Sequence, residues 1–245
     1  ASGLKRRTQR VAVLLPDEVG RNRFYYPPLW QGVRDYLKNS EDLNVECTEF
    51  SFPNEIDPFH SRGVEEVRAL LAEDKLDGLL TVGHMEAMTM QEWQHARDAG
   101  VAVVQVGFRN PKIVPLCSVQ PDYEVIGRTM AELIFSHIPS FGSVVLCAGN
   151  PKWEQHARIV QGLQQCGKAG KVFAVGSDVF EENLDALRSR ILDNIVQKNP
   201  YAQGYLGIKA LVEYLVQGKA PEQRTIYVGS EVVFRSNAVM YDRDN

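Results

Sequence analysis

The sequence has little that would mark a membrane protein, a nucleic-acid surface or an enzyme. No run of 18 apolar residues occurs, so no helix is long and apolar enough to cross a bilayer. The 27 lysines and arginines stand against 31 acidic residues, and a net charge of −4 creates no field toward phosphate backbones or anionic lipid. Cysteines are few: Cys47, Cys117, Cys147 and Cys166, with no C-x-x-C pair among them. The first three lie in or beside apolar runs, which reads as buried free thiols in a reducing cytoplasm. The basic opening ASGLKRRTQR has no apolar core, so it is not an uncleaved signal peptide. A mature secreted protein would lack that core as well.

Catalytic and metal motifs are missing too. There is no G-x-S-x-G elbow and no G-x-G-x-x-G fingerprint. GLQQCGK at 162–168 fits G-x-x-x-x-G-K, but it ends a helical pattern and Ala169 stands where Ser or Thr would hold magnesium. His84 and Glu86 form H-x-E without the P-C-x-x-C of a zinc deaminase. His60, His95, His137 and His156 have no ligand spacing. We therefore expect no catalytic residues, no metal and no cofactor.

What the chain does have is short apolar runs alternating with amphipathic helices. The clearest stretch is 171–219. KVFAVGSD reads as a buried strand ending in Ser177 and Asp178, and a second strand signal ends in Gln197. PYAQGYLGIKALVEYLVQGK follows as a helix, with Pro200 near its start and Gly218 near its end. Upstream, RVAVLLP, VECTEFSF, DGLLTVG, VAVVQVG and LCSVQ read as five strands, the first four each followed by a helix or loop. DYEVIGRTMAELIFSHI reads as a helix with Val125, Ile126, Met130, Leu133 and Ile134 as its buried stripe. GSVVLCAG reads as a further strand, with PKWEQHARIVQGLQQ as its helix. Repeated βα units imply an α/β fold with a doubly wound, mostly parallel sheet.

The segments RVAVLLPD, DGLLTVGH, VAVVQVGF, SVQPDYEVIGRTMAELI, SVVLCAGN, HARIVQGLQ, KVFAVGSD and IVQKNPYAQGYLGIKALVEYLVQGK resemble, in order, the ligand-binding domain of lac-repressor/galactose-repressor regulators and type I periplasmic binding proteins. The likeness spans nearly the whole chain. It implies a two-lobed fold: 9–119 plus 199–225 as the N-terminal lobe, 122–197 as the C-terminal lobe, and 226–245 closing over the hinge. A small molecule, a sugar or related polyol, would bind between the lobes and change operator affinity. ASGLKRRTQRVAVLL also resembles the repressors' linker, which favours a cytoplasmic regulator whose helix-turn-helix headpiece lies outside this sequence. The alternative is an extracytoplasmic sugar-binding protein of a transporter. One departure is clear: only CGKAGK separates HARIVQGLQQ from KVFAVGSD, where the family carries about one more strand-helix-strand unit. Either a segment is absent near 165–166, and the chain is expected to break there, or the second lobe is truly short, with a thin core.

Sugars are held by planar polar groups and stacked aromatics. Candidates at strand ends or in the following loops are Phe24, Tyr25, Arg109, Asn150, Trp153, Asp178 and Gln197. Arg158 sits where the family's helix carries a pocket arginine. Trp30 and Asp122 are weaker, since capping alone explains Asp122. A homodimer is expected, and Leu29, Trp30, Met85 and Met88 are apolar residues that could face the partner.

Overall fold

The computed structural model describes residues 7–40, 42–53, 61–83, 88–137, 165, 167 and 171–241. The chain forms two compact units, Ala1–Pro121 with Asn199–Val228 and Asp122–Lys198 with Gly229–Asn245, so it passes between them three times.

Unit one opens with β1 (Gln9–Pro16), a 3-10 turn (Gly20–Phe24), α1 (Tyr26–Lys38), β2 (Val45–Phe52) and α2 (Arg62–Ala72). It continues through β3 (Gly78–Val82), α3 (Met90–Asp98), β4 (Ala102–Val106) and β5 (Cys117–Pro121). Unit two holds α4 (Tyr123–Phe135), β6 (Val175–Ser177), α5 (Glu181–Arg188) and β7 (Asn194–Gln197). The chain returns to unit one for α6 (Pro200–Gln217) and β8 (Thr225–Val228). It then ends in unit two with β9 (Glu231–Val233) and a 3-10 turn (Ala238–Tyr241).

The unit-one sheet has the order β2-β1-β3-β4-β5-β8, and every neighbouring pair is parallel. All five residues of β3 and of β4 are buried, as a parallel sheet covered on both faces requires. The step from β1 to β2 runs opposite to the later steps. With right-handed crossovers this places α1 on one face and α2 and α3 on the other. α6 packs against α1 with almost no side chain between them: a Cβ on Gly204 would lie 2.0 Å from the Leu29 carbonyl oxygen, and one on Gly32 would lie 2.2 Å from that of Tyr201. The starts of α2, α3 and α6 carry side-chain caps. Ser61 Oγ accepts from Val64 N, Thr89 and Glu92 form a capping box, and Asn199 Oδ1 accepts from Ala202 N.

Burial overturns the partner-facing assignment of the apolar residues on these elements. Leu29 (0% exposed), Trp30 (2%) and Met88 (5%) belong to the core of unit one. Trp30 Nε1 donates to the Pro16 carbonyl at 2.8 Å, tying α1 to the end of β1, so Trp30 faces the core and is not a dimer contact. Met85 lies outside the described residues.

Among the described residues the strands of unit two are shorter. Its sheet has the order β6-β7-β9, parallel then antiparallel, over a core that includes Leu184, Leu187, Ile191, Leu192, Ile195 and Val233. The buried stripe expected on α4 is only partly present: Ile126 is buried, whereas Val125 is 49% exposed. α4 packs on β6, which is three residues long. The segment 226–245 serves both units: β8 pairs with β5 in unit one and β9 with β7 in unit two. The strand at GSVVLCAG, the helix after it, and the chain break expected near 165–166 fall in a stretch that is outside the described residues, apart from 165 and 167.

Candidate functional site

The polar chemistry of unit two gathers at the carboxyl edge of β6 and β7. Ser177, the last residue of β6, pairs with Val196, and one step further Asp178 comes level with Gln197, the half-buried end of β7. Asp178 N donates to the Val196 carbonyl at 3.1 Å. The chain then bends sharply, with Asp178 at φ 65, a left-handed conformation that aspartate tolerates better than most residues. Asn183, buried on α5, holds the bend by donating from Nδ2 to the Ser177 and Asp178 carbonyls, both at 2.9 Å.

The two oxygens of the Asp178 carboxylate have different surroundings. Oδ2 accepts from Lys198 Nζ at 2.7 Å and from Ser177 Oγ at 3.2 Å. Oδ1 is buried and accepts no hydrogen bond among the described residues. The pair is shielded, with side chains 16% exposed for Asp178 and 23% for Lys198. A buried acceptor without a donor is destabilising by about 1–3 kcal/mol, more when it is charged. A donor arriving from a ligand removes that penalty. Tyr123 opens α4 close to the same edge. Burial, and then the negative charge of Asp178, push its phenol up to about 12, although the residue as a whole is 47% exposed. The phenol is therefore a neutral hydroxyl near the carboxylate.

In unit one, the carboxyl end of β1 leads into the loop carrying Phe24 and Tyr25. Asp17 Oδ1 accepts from Asn22 Nδ2 at 2.6 Å, which fastens that loop to the strand. The Tyr25 hydroxyl donates to Gln203 Oε1 at 2.9 Å, and the Arg23 guanidinium lies 4.0 Å from the centroid of the Phe24 ring. Internal partners therefore engage both aromatics. Arg109 follows β4 in an exposed loop. Buried Gln105 anchors that loop by accepting from Asn110 N at 3.1 Å. At Gly83 a Cβ would meet the Phe108 carbonyl oxygen at 1.8 Å, so the loop after β4 crosses close to the end of β3.

A cavity of about 180 Å³ is lined by Asp17, Glu18, Trp30, Arg34, Glu49, Phe50 and Ser51. Its Arg34 forks between Glu18 at 3.0 Å and Glu49 at 2.8 Å, and the Glu49 hydrogen bond leads in raising the guanidinium's pKa. Three carboxylate-bound nitrogens make this a clamp between α1 and β2, in unit one and apart from the Asp178 edge.

The structure brings Asp178 and Gln197 together at one sheet edge and puts Phe24 and Tyr25 in one loop. Asp122 serves as the N-cap of α4, with Oδ1 accepting from Glu124 N and Val125 N at 3.0 Å each. Asn150, Trp153 and Arg158 lie outside the described residues. Lys198 and Tyr123 were missed by sequence reasoning: a lysine before an Asn-Pro helix start reads as a solvated charge, and a tyrosine at a helix start carries no signal of its own. Among the described residues no cluster of His, Cys, Asp and Glu could hold a metal ion.

No protein-family model and no curated protein matches this chain. Solved structures match it almost end to end. A candidate LacI transcriptional regulator from Bacteroides fragilis aligns with TM-score 0.74 at 15% identity, over 96% of this chain and 99% of its own. A periplasmic solute-binding protein from Actinobacillus succinogenes 130z, with bound D-allose, aligns with TM-score 0.73 at 16% identity, over 95% and 100%. A solute-binding protein from Burkholderia graminis C4D1M, in complex with D-arabinose, gives 0.72 at 16%, over 98% and 99%. The chain has the type I periplasmic-binding-protein-like fold. At these identities the fold is what is shared. In open α/β sheets ligands bind outside the carboxyl ends of the strands, which is where Asp178 and Gln197 stand.

Proposed function

We propose that this chain is the effector-sensing part of a lac-repressor-like transcription regulator, and that it binds a small neutral polyol, a sugar or a close relative, at the Asp178 edge. The observation that carries the reading is Asp178 Oδ1, a buried carboxylate oxygen at the carboxyl edge of parallel strands that no donor among the described residues satisfies. The sugar-bound structures with the same fold support the ligand class. The regulator reading is supported by the Bacteroides fragilis match and by the basic lead-in to β1. Arg7 pairs with Asp77 at 2.8 Å and Arg10 N donates to the same carboxylate, which fixes the lead-in at the amino edge of the unit-one sheet. In this reading the protein works in the cytoplasm as a homodimer, through a surface other than Leu29, Trp30 and Met88, and DNA is read by a separate headpiece. It binds without turning its ligand over.

The second reading is an extracytoplasmic sugar-binding protein of a transporter, and the two sugar-bound solute-binding proteins favour it. Sedimentation velocity at micromolar concentration separates the two: a dimer is expected of the regulator and a monomer of the carrier. The polyol itself is tested by thermal-shift screening of neutral monosaccharides and polyols, followed by calorimetric titration of those that raise the melting temperature. Asp178→Ala is expected to weaken binding at least about tenfold, matching the 1–3 kcal/mol of a lost buried hydrogen bond. Equal affinity with an equal melt would remove Asp178 from the site.

A further inference from the structure

We infer that Lys198 sets which polyols the Asp178 edge accepts, by reducing the carboxylate to a single-point acceptor. The inference rests on the polyol reading above. An ionised carboxylate offers about four lone-pair positions over two oxygens, enough to accept from two adjacent hydroxyls of one ligand. Here the Lys198 ammonium at 2.7 Å and the Ser177 hydroxyl at 3.2 Å fill both positions on Oδ2. Oδ1 alone remains, buried and without a donor among the described residues. A ligand that displaces the atoms covering Oδ1 can give it one hydroxyl, whereas the neighbouring hydroxyl meets an oxygen that already has two donors.

The backbone keeps this arrangement in place. Lys198 directly follows β7, one residue beyond Gln197, which the β6–β7 register brings level with Asp178. Asn199, the next residue, is held at φ 50 as the N-cap of α6, so the backbone on the far side of Lys198 is fixed as well. Asn183 fixes the Asp178 carbonyl from below. With both ends anchored, the ion pair is part of the site's shape.

The test compares each polyol that binds the wild type with its analogue lacking one hydroxyl next to the docked one, by calorimetric titration into wild type, Lys198→Met and Lys198→Arg. The panel begins with D-allose, D-arabinose and D-ribose and their monodeoxy forms. Wild type is expected to bind a polyol and this analogue within about threefold of each other, because Oδ2 takes no ligand hydroxyl. Lys198→Met opens Oδ2, and the adjacent hydroxyl should then be favoured by about tenfold, the effect of one added hydrogen bond. Lys198→Arg restores a donor to Oδ2 and should return the ratio to that of wild type. A purely structural lysine would weaken all ligands by the same factor and leave the ratio unmoved, which would overturn the inference while the polyol reading stands. If wild type binds no member of the panel, both the polyol reading and this inference fall.

Discussion

The two units use the same βα grammar with different margins of safety. Unit one lays six parallel strands between helices, and its core takes residues from β1, β3, β4 and β5, from α1, α2 and α3 and from α6. Among the described residues unit two has three short strands and a smaller cluster around Leu187 and Ile195. Yet unit two carries the shielded ion pair and the unpaired carboxylate oxygen. The polar groups of unit one, by contrast, are mostly tied to their own loops, as with Asp17 to Asn22 and Tyr25 to Gln203. Unit one also holds buried atoms without a partner among the described residues, Gln105 Nε2 and Gln120 Oε1, so what sets unit two apart is that its unpaired acceptor belongs to a carboxylate.

The contrast is broken most directly by cavities. Leu80 in β3 and Leu187 in α5 are both 0% exposed. Leu80→Ala, in the extensive core, is expected to destabilise by about 4–5 kcal/mol, and Leu187→Ala, where the smaller core can close in, by about 2–3 kcal/mol. Urea unfolding monitored by tryptophan fluorescence and circular dichroism measures both. Equal losses would erase the distinction between the units.

A smaller effect tests the joint between α1 and β1. Trp30→Phe keeps most of the ring volume but leaves the Pro16 carbonyl without its donor, and should cost about 1–2 kcal/mol. It should leave the sedimentation coefficient unchanged, since the residue faces the protein's own core. A shift in oligomeric state would return Trp30 to an interface.

The smallest effect concerns thiols. Burial pushes Cys47 up to about 12 and Cys117 up to about 11. Burial disfavours the charged thiolate, so raising the pH from 7 to 9 increases the reactive form yet leaves it below about one part in a hundred at either residue. Iodoacetamide should label neither position in the native protein over that range, and both after denaturation, as read by peptide mass spectrometry. Rapid native labelling of Cys117 would mean that the sheet opens locally.

Much of this fold was legible in the residues. The apolar run at 11–15 and the nearly apolar ones at 79–82 and 101–106, broken only by Thr81 and Gln105, leave little choice but strands buried on both faces, and the Pro200 start and Gly218 stop frame α6. Other features were hidden for physical reasons. Trp30 shares a helix with exposed polar residues, and only the approach of the Pro16 carbonyl shows that its ring lies inward. Val125 fits the apolar spacing of α4 yet is 49% exposed. At the site, the strand ends were visible in the runs that stop at Asp178 and Gln197. The pairing of Lys198 with Asp178 was not, because it depends on the register of β6 and β7, which neither segment encodes alone.

The central claim is that Asp178 receives one ligand hydroxyl through Oδ1. A crystal structure of the wild-type protein with the tightest-binding polyol of the screen tests it most directly. The account predicts a ligand hydroxyl within about 3 Å of Oδ1, the usual distance for such a bond, with the Lys198 ammonium still on Oδ2. A bound polyol that leaves Oδ1 untouched, or that displaces Lys198 to take both oxygens, would contradict it.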